Sequence, residues 1–137
     1  MLSCDRSNLR VLVADDHELT RLSLKLALAN QSNIQLVGTA KNGQEAVEMV
    51  KNYDPDVIIL DLQMPVMDGW LASSQIKQIN PQTQIIAYSA MEEAQAAAVN
   101  PAACVDAFCR KDTNTQDLIS LVKELGNKSS IESRSVC

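Results

Sequence analysis

The sequence predicts a doubly wound α/β domain: a five-stranded parallel sheet with helices on both faces, in (βα)5 order. Three observations point there. Apolar runs of strand length alternate five times with segments of helical spacing. The run Val57-Ile58-Ile59-Leu60 has the length and β-branching of a strand buried on both faces, the kind found in parallel sheets. That run ends abruptly in Asp61, and Pro65 soon afterwards prevents the chain from continuing regularly. Such alternation calls for right-handed crossovers and a sheet covered on both sides. A sheet of this kind presents its chemistry at the carboxyl ends of its strands, so Asp61 stands where a ligand would sit. A carboxylate at the end of an apolar strand costs energy unless water, a cation or a lysine attends it.

Each element has its own local reason. Arg10 to Ala14 reads as a short apolar strand, followed by Asp15-Asp16-His17 and a helix from about Glu18 to Asn30. In that helix Leu19, Leu22 and Leu26 recur on one face, the spacing of an amphipathic core stripe. Ile34 to Ala40 is the second strand. Asn42 can cap the next helix and Glu45, three residues on, can reach back to it; Ala46, Val47 and Val50 form its buried face, and it ends before Asp54-Pro55. After the central strand, Asp68 is a good cap for a third helix through Trp70 and Ile76, closed by Asn80-Pro81, with Leu71 pointing outward. Gln84 to Ser89 is the fourth strand, and an alanine-rich helix after Glu92-Glu93 meets Pro101, which should break it. Val105 to Arg110 is the fifth strand. Thr113 or Asn114 can cap a last helix with Leu118, Leu121, Val122 and Leu125 at helical spacing, and Gly126 should end it. The organisation expected is a tail at 1–8, one domain over 9–125 and a flexible polar tail at 126–137.

Composition narrows the class. A chain of 137 residues is long enough to bury a core without metals or disulfides. Its hydrophobic fraction of 46% with 21% charged residues is ordinary for a water-facing globular domain, and at 3% aromatics Leu, Ile, Val and Ala must do the packing. A net charge of −5 argues against direct nucleic-acid binding, because phosphate backbones select clustered Lys and Arg. Cys4, Cys104, Cys109 and Cys137 have no framework spacing and read as free thiols of a reducing compartment. No run is apolar enough for a signal core or a membrane span, so the expectation is a cytoplasmic protein that does not engage a membrane.

Three carboxylates fall at strand ends: Asp15 and Asp16 after the first strand and Asp61 after the third. If those strands are neighbours the acids converge, and like charges so close call for a hard divalent cation such as Mg²⁺, which takes oxygen ligands. Taken alone, Asp15-Asp16 could equally be a helix-capping pair in the favourable field of the helix dipole. Ser89 ends the fourth strand and Lys111 follows the fifth. A hydroxyl and an ammonium beside a carboxylate-metal cluster describe a site for a phosphoryl group. A serine at a strand end is usually a turn former and a lysine there usually solvated; what argues against both readings is that four strand ends carry the set together.

These residues resemble a response-regulator receiver domain over about Leu9 to Leu125. The likeness rests on Val11-Leu12-Val13-Ala14-Asp15-Asp16-His17-Glu18, on Leu60-Asp61-Leu62-Gln63-Met64-Pro65-Val66-Met67-Asp68-Gly69, on Ser89-Ala90 and on Phe108-Cys109-Arg110-Lys111. The resemblance implies the flavodoxin-like strand order 2-1-3-4-5. It makes Asp61 the phosphoacceptor, fed by a partner histidine kinase or phosphotransfer protein. It gives Mg²⁺ to Asp16, Asp61 and the backbone carbonyl of Gln63, with Asp15 acting through water. Ser89, Ala90 and Lys111 would hold the phosphoryl oxygens. Ser89 and Phe108 would form the switch, the phenyl ring turning inward as Ser89 moves. Met91 and Gln63 would border the phosphate. The output implied is binding of a downstream protein effector, or a phosphorylation-dependent homodimer; the chain is not an enzyme beyond its own phosphorylation and dephosphorylation.

Lys111-Asp112, where the family often has lysine-proline, and Asp15-Asp16-His17-Glu18 both suit the NarL-like branch. Members of that branch usually carry a helix-turn-helix domain, so a stand-alone receiver and an excised receiver of a transcription regulator are both open. An unphosphorylated interaction module of the same fold is a further alternative. A phosphohydrolase with an aspartate nucleophile would need a second acid two residues on, where this chain has Gln63, which cannot act as acid or base. His17 reads as a solvent-facing residue at a helix start.

Overall fold

The computed structural model describes residues 8–64, 67–90 and 104–131. Five strands, β1 (Leu9–Ala14), β2 (Ile34–Ala40), β3 (Val57–Asp61), β4 (Gln84–Ser89) and β5 (Ala107–Arg110), form one parallel sheet in the order β2-β1-β3-β4-β5. Four described helices accompany them: α1 (Glu18–Ala29), α2 (Gly43–Tyr53), α3 (Gly69–Ile79) and α4 (Thr115–Ile131). The helix expected after Glu92-Glu93 lies outside the described residues, as do Met91 and both chain ends.

The period of two along each strand divides the core into two layers. Val11, Val13 and Ile59 pack with Leu24 and Leu28 of α1 and Leu118 and Val122 of α4 on one face. Leu12, Ile58 and Leu60 pack with Val47 and Val50 of α2 and Ile76 of α3 on the other. All five residues of β3 are buried, which is why its sequence shows an apolar run and no alternation.

The capping expectations are met by side chains. Asn42 Oδ1 accepts the Glu45 amide at 2.8 Å and Asp68 Oδ1 accepts the Leu71 amide at 3.0 Å. Of the two candidates for the last helix, Asn114 does the work, accepting the Asp117 amide at 2.9 Å. Glu45 reaches back as expected, but to the Lys41 amide at 3.0 Å, one residue earlier than a reciprocal pair would place it.

Four expectations need correction. Leu19, Leu22 and Leu26 do not face the core; they are 76%, 48% and 60% exposed, and α1 packs through Leu24 and Leu28. Both leucine sets have helical spacing, so periodicity alone cannot say which one meets the sheet. Gly126 does not end the last helix, which runs on to Ile131. It serves close packing: a Cβ there would stand 2.6 Å from both Leu9 methyl carbons. The fifth strand begins at Ala107 and not at Val105. The Asp106 side chain is engaged elsewhere, accepting the Ile85 amide at 2.8 Å and pairing with the buried Lys77 ammonium at 2.7 Å. The cysteines are not all free: Cys109 is a buried thiol, whereas Cys104 is disulfide-bonded. Spacing along a chain does not report which thiols a fold brings together. Among the described residues no helix is long and apolar enough to cross a membrane.

Candidate functional site

The site lies at the carboxyl edge of the sheet, where β1 and β3 are neighbours. Asp15 directly follows β1 and is held in place by a backbone bond from its amide to Ala40 at the end of β2. Asp61 is the last residue of β3, and α3 begins against it. Gly69 opens that helix so close to the strand end that a Cβ would fall 2.2 Å from the Asp61 carbonyl oxygen and 2.6 Å from Leu62 Cα. Only a residue without a side chain lets the helix start there.

The two carboxylates share one ammonium. Lys111 Nζ stands 2.9 Å from Asp15 Oδ2 and 3.3 Å from Asp61 Oδ2. The lysine is delivered by β5, whose extension is tied to β4 by a bond from the Lys111 amide to the Ser89 carbonyl at 2.8 Å. Asp15 and Asp61 are only 1% and 3% exposed. Their outer oxygens are fixed by the chain turning back: Asp61 Oδ1 accepts the Gln63 amide at 3.0 Å, and Asp15 Oδ1 accepts the His17 amide at 2.9 Å. Asp15 therefore caps a local turn and leaves the first helix to His17, whose side chain makes no cap bond.

Electrostatics follow from burial. Loss of hydration pushes the Asp61 carboxyl from its ordinary 3.8 up to about 6; the Gln63 amide opposes that rise, the negative charge of Asp15 adds to it, and Lys111 opposes it again. Burial acts against the Lys111 ammonium, yet the hydrogen bond to Asp15 and the charges of both acids outweigh it and raise its pKa. The ammonium also lies 5.7 Å from the centre of the Tyr88 ring. Tyr88 was not singled out from the sequence; its place one residue before Ser89 on an inner strand was the available signal.

The donor set suits a hard divalent cation. Asp15, Asp16, His17 and Asp61 can each bring one ligand atom within 4.8 Å of the others. Asp15 Oδ2 and Asp61 Oδ2 are both buried and turned toward the single Lys111 ammonium, 2.9 and 3.3 Å away. Three clustered carboxylates, two of them sharing one ammonium, leave excess negative charge on oxygen atoms, the environment that Mg²⁺ prefers. His17 was read as solvent-facing, and its side chain is 67% exposed; its ring also touches the cluster, with Nδ1 3.1 Å from Asp15 Oδ1 and 3.2 Å from Asp16 Oδ1.

The remaining predicted residues are placed as follows. Ser89 is buried at the end of β4, one step past the residue paired with Asp61, and Ala90 beside it is exposed. Gln63 is exposed on the loop after β3 and borders, with Asp16, Met64, Asp68 and Trp70, a cavity of about 540 Å³. Phe108 is half-buried, touching the small cluster of Leu62, Trp70 and Ala87. It lines a second cavity, of about 490 Å³, between β5 and α4. Thus Asp15, Asp16 and Asp61 gather in one cluster, Lys111 pairs with Asp15 and Asp61, Ser89 lies on the adjacent strand, and Phe108 packs with Leu62, Trp70 and Ala87.

Comparison with known proteins agrees with this geometry. Residues 11–123 match the family model described as the response regulator receiver domain. The response regulator protein VraR of Staphylococcus aureus is 32% identical over 123 residues, which cover 90% of this chain and 59% of that protein. The chain thus spans about three fifths of the length of the curated relatives it matches. Among solved structures, the response regulator domain of Thermotoga maritima CheB superposes with a TM-score of 0.77 at 30% identity, covering 88% of this chain and 97% of that one. The signal receiver domain of NarL from Mycobacterium tuberculosis gives 0.82 at 29% identity, covering 88% and 98%.

Proposed function

Because this chain belongs to the response-regulator receiver family, a family of signalling modules of two-component systems, we propose that Asp61 is its phosphoacceptor and that Asp15, Asp16 and Lys111 prepare it. The observation that carries the reading is the Lys111 ammonium seated between the buried carboxylates of Asp15 and Asp61. A carboxylate oxygen of Asp61 attacks the phosphorus of a phosphohistidine on a partner kinase or phosphotransfer protein. An O–P bond forms, the P–N bond breaks, and the electron pair leaves on the imidazole nitrogen, which takes a proton. Phosphoryl transfer of this kind needs alignment and neutralisation more than covalent help.

Each residue has a definite share in that reading. The Gln63 amide holds one Asp61 oxygen and so fixes the orientation of the carboxylate. Lys111 exchanges part of its pairing with Asp61 for the incoming phosphoryl oxygens, which carry more charge than the carboxylate they replace. Ser89, buried on the neighbouring strand, supplies a hydroxyl for a further phosphoryl oxygen, with Ala90 beside it offering backbone. When bound, Mg²⁺ would neutralise charge on the transferring group; Asp15, Asp16, Asp61 and the Gln63 carbonyl are the groups that would hold it. Later hydrolysis at the same site returns the free carboxylate, so the chemistry is self-directed and the protein works as a switch in the cytoplasm. Phe108 and Ser89 convert occupancy into a change at the cavity between β5 and α4, the place for a downstream protein partner.

Incubation with acetyl phosphate and Mg²⁺ tests the reading by intact mass. The wild-type chain should gain one phosphoryl group and Asp61→Asn none. A wild-type chain that gains nothing would mark an interaction module that keeps the fold without the chemistry.

A further inference from the structure

Arg21 places a cation at the wrong end of a helix. It is the fourth residue of α1, inside the first turn, where unpaired amides favour an acid and a positive charge costs stability. Its own amide is used in the ordinary way, donating to the His17 carbonyl at 3.1 Å. The half-buried side chain turns back toward the sheet. There Nη1 donates to the main-chain carbonyl of Asp15 at 2.7 Å, six residues upstream. Helical side chains lean toward the helix N-terminus, so a long one at this position reaches the end of β1.

That carbonyl belongs to the peptide between Asp15 and Asp16. A peptide unit is planar, so fixing its oxygen fixes where Cα of Asp16 stands and which way its side chain leaves. Asp15 has other restraints: its amide is bonded to Ala40, and its carboxylate meets the His17 amide and Lys111. Asp16 has fewer. Its side chain is 31% exposed, and its Oδ1 faces the still more exposed His17 ring at 3.2 Å. The more solvent-facing acid of the pair therefore depends on the peptide plane that Arg21 holds. By taking a main-chain oxygen, the guanidinium also leaves the carboxylate oxygens, which a cation needs, to Lys111 and His17.

On the reading that Asp15, Asp16 and Asp61 together hold a divalent cation, we propose that Arg21 is a positioning residue for it. Its bond to the Asp15 carbonyl orients the Asp15–Asp16 peptide and so presents the Asp16 carboxylate to the ion. A planar, pre-organised donor fork suits that part better than a flexible ammonium. The charge of Arg21 and its bond act on cation affinity in opposite directions. A positive group beside a cation site repels the ion, whereas a ligand already oriented spares the ion the entropy of ordering it.

That opposition makes the sign of one substitution decisive. Arg21→Met keeps an unbranched stem and removes both charge and bond. Lost charge alone would tighten Mg²⁺ binding; lost positioning weakens it. Isothermal titration of the whole chain with Mg²⁺ should find Arg21→Met roughly three- to thirty-fold weaker than wild type, the scale of losing a group that orients a metal ligand. Arg21→Gln, polar but shorter, should fall in the same range. Without the ion, the circular dichroism spectrum and melting midpoint of both variants should stay close to wild type, which separates a misplaced ligand from a damaged fold. The Asp16 amide resonance should shift and broaden in both, as the released peptide samples more than one orientation, while the Gln63 amide keeps its position. Variants that bind Mg²⁺ as tightly as wild type, or more tightly, overturn the proposal and leave the cation site standing. A wild-type chain that binds no Mg²⁺, or an Asp61→Asn variant that binds it equally well, overturns the cation site and the proposal together.

Discussion

Lys111 Nζ lies 2.9 Å from Asp15 Oδ2 and 3.3 Å from Asp61 Oδ2, so one ammonium serves two carboxylates that come from adjacent strands. Removing it leaves two buried like charges with no counter-ion of their own. Lys111→Met should push the Asp61 carboxyl further up from about 6, as read by carboxyl-carbon NMR. Stability at pH 8 should fall by about 1–3 kcal/mol, less than for a fully buried pair because the lysine side chain is 22% exposed. The loss should shrink as pH falls from 8 towards about 6, because Asp61 in the variant takes up its proton above the wild-type value and the repulsion goes.

Asp61 is itself a stability liability. Its carboxyl titrates near 6 in the fold against 3.8 as an ordinary side chain, so the folded state binds a proton that the unfolded state releases. Between those values stability falls as pH rises, and above about 6 the cost of holding the ionised group stays constant at up to about 3 kcal/mol. Asp61→Asn should therefore raise the melting midpoint at pH 7 and flatten the stability profile between about pH 4 and 6. A variant less stable than wild type at pH 7 would contradict the burial argument.

Gly69 bears on the acceptor through the backbone. With a Cβ falling 2.2 Å from the Asp61 carbonyl oxygen, Gly69→Ala must move α3 or the end of β3. The expected cost is about 1–3 kcal/mol in chemical denaturation, together with slower phosphorylation by acetyl phosphate, since the carboxylate moves with its backbone. Gly126→Ala should be milder, because the Leu9 methyls it would meet can turn away.

The two leucine sets of α1 separate core from surface. Leu24→Ala, at a position 4% exposed, should cost about 2–4 kcal/mol. Leu22→Ala, at one 48% exposed, should change stability by less than about 0.5 kcal/mol. Urea unfolding measures both.

Much of the architecture was legible because β3 is buried on both faces and shows it as an unbroken apolar run, and because Asn42, Asp68 and Asn114 announce helix starts with side chains that can do little else there. The site was legible because strand ends converge in a parallel sheet, so Asp15, Asp61 and Lys111 could be placed together from their positions after strands. What escaped had one physical origin: sequence gives spacing without direction. Leu19, Leu22 and Leu26 have a core-like period and face away from the core. Gly126 looks like a terminator and is a contact point with Leu9 inside a continuing helix. Asp106 reads as strand and is diverted to Lys77 and the Ile85 amide by partners distant in sequence. The contact of His17 with both acids depends on a backbone turn that its residue type does not reveal.

Locating the phosphoryl group tests the assignment of Asp61 most directly. Borohydride reduction of the phosphorylated chain turns an aspartyl phosphate into homoserine, which peptide mass spectrometry assigns to a residue. Homoserine at position 61 alone, dependent on Mg²⁺, is the predicted result. Homoserine at 15 or 16, or a stable phosphate on Ser89 in place of any at 61, would contradict the assignment of Asp61 as acceptor.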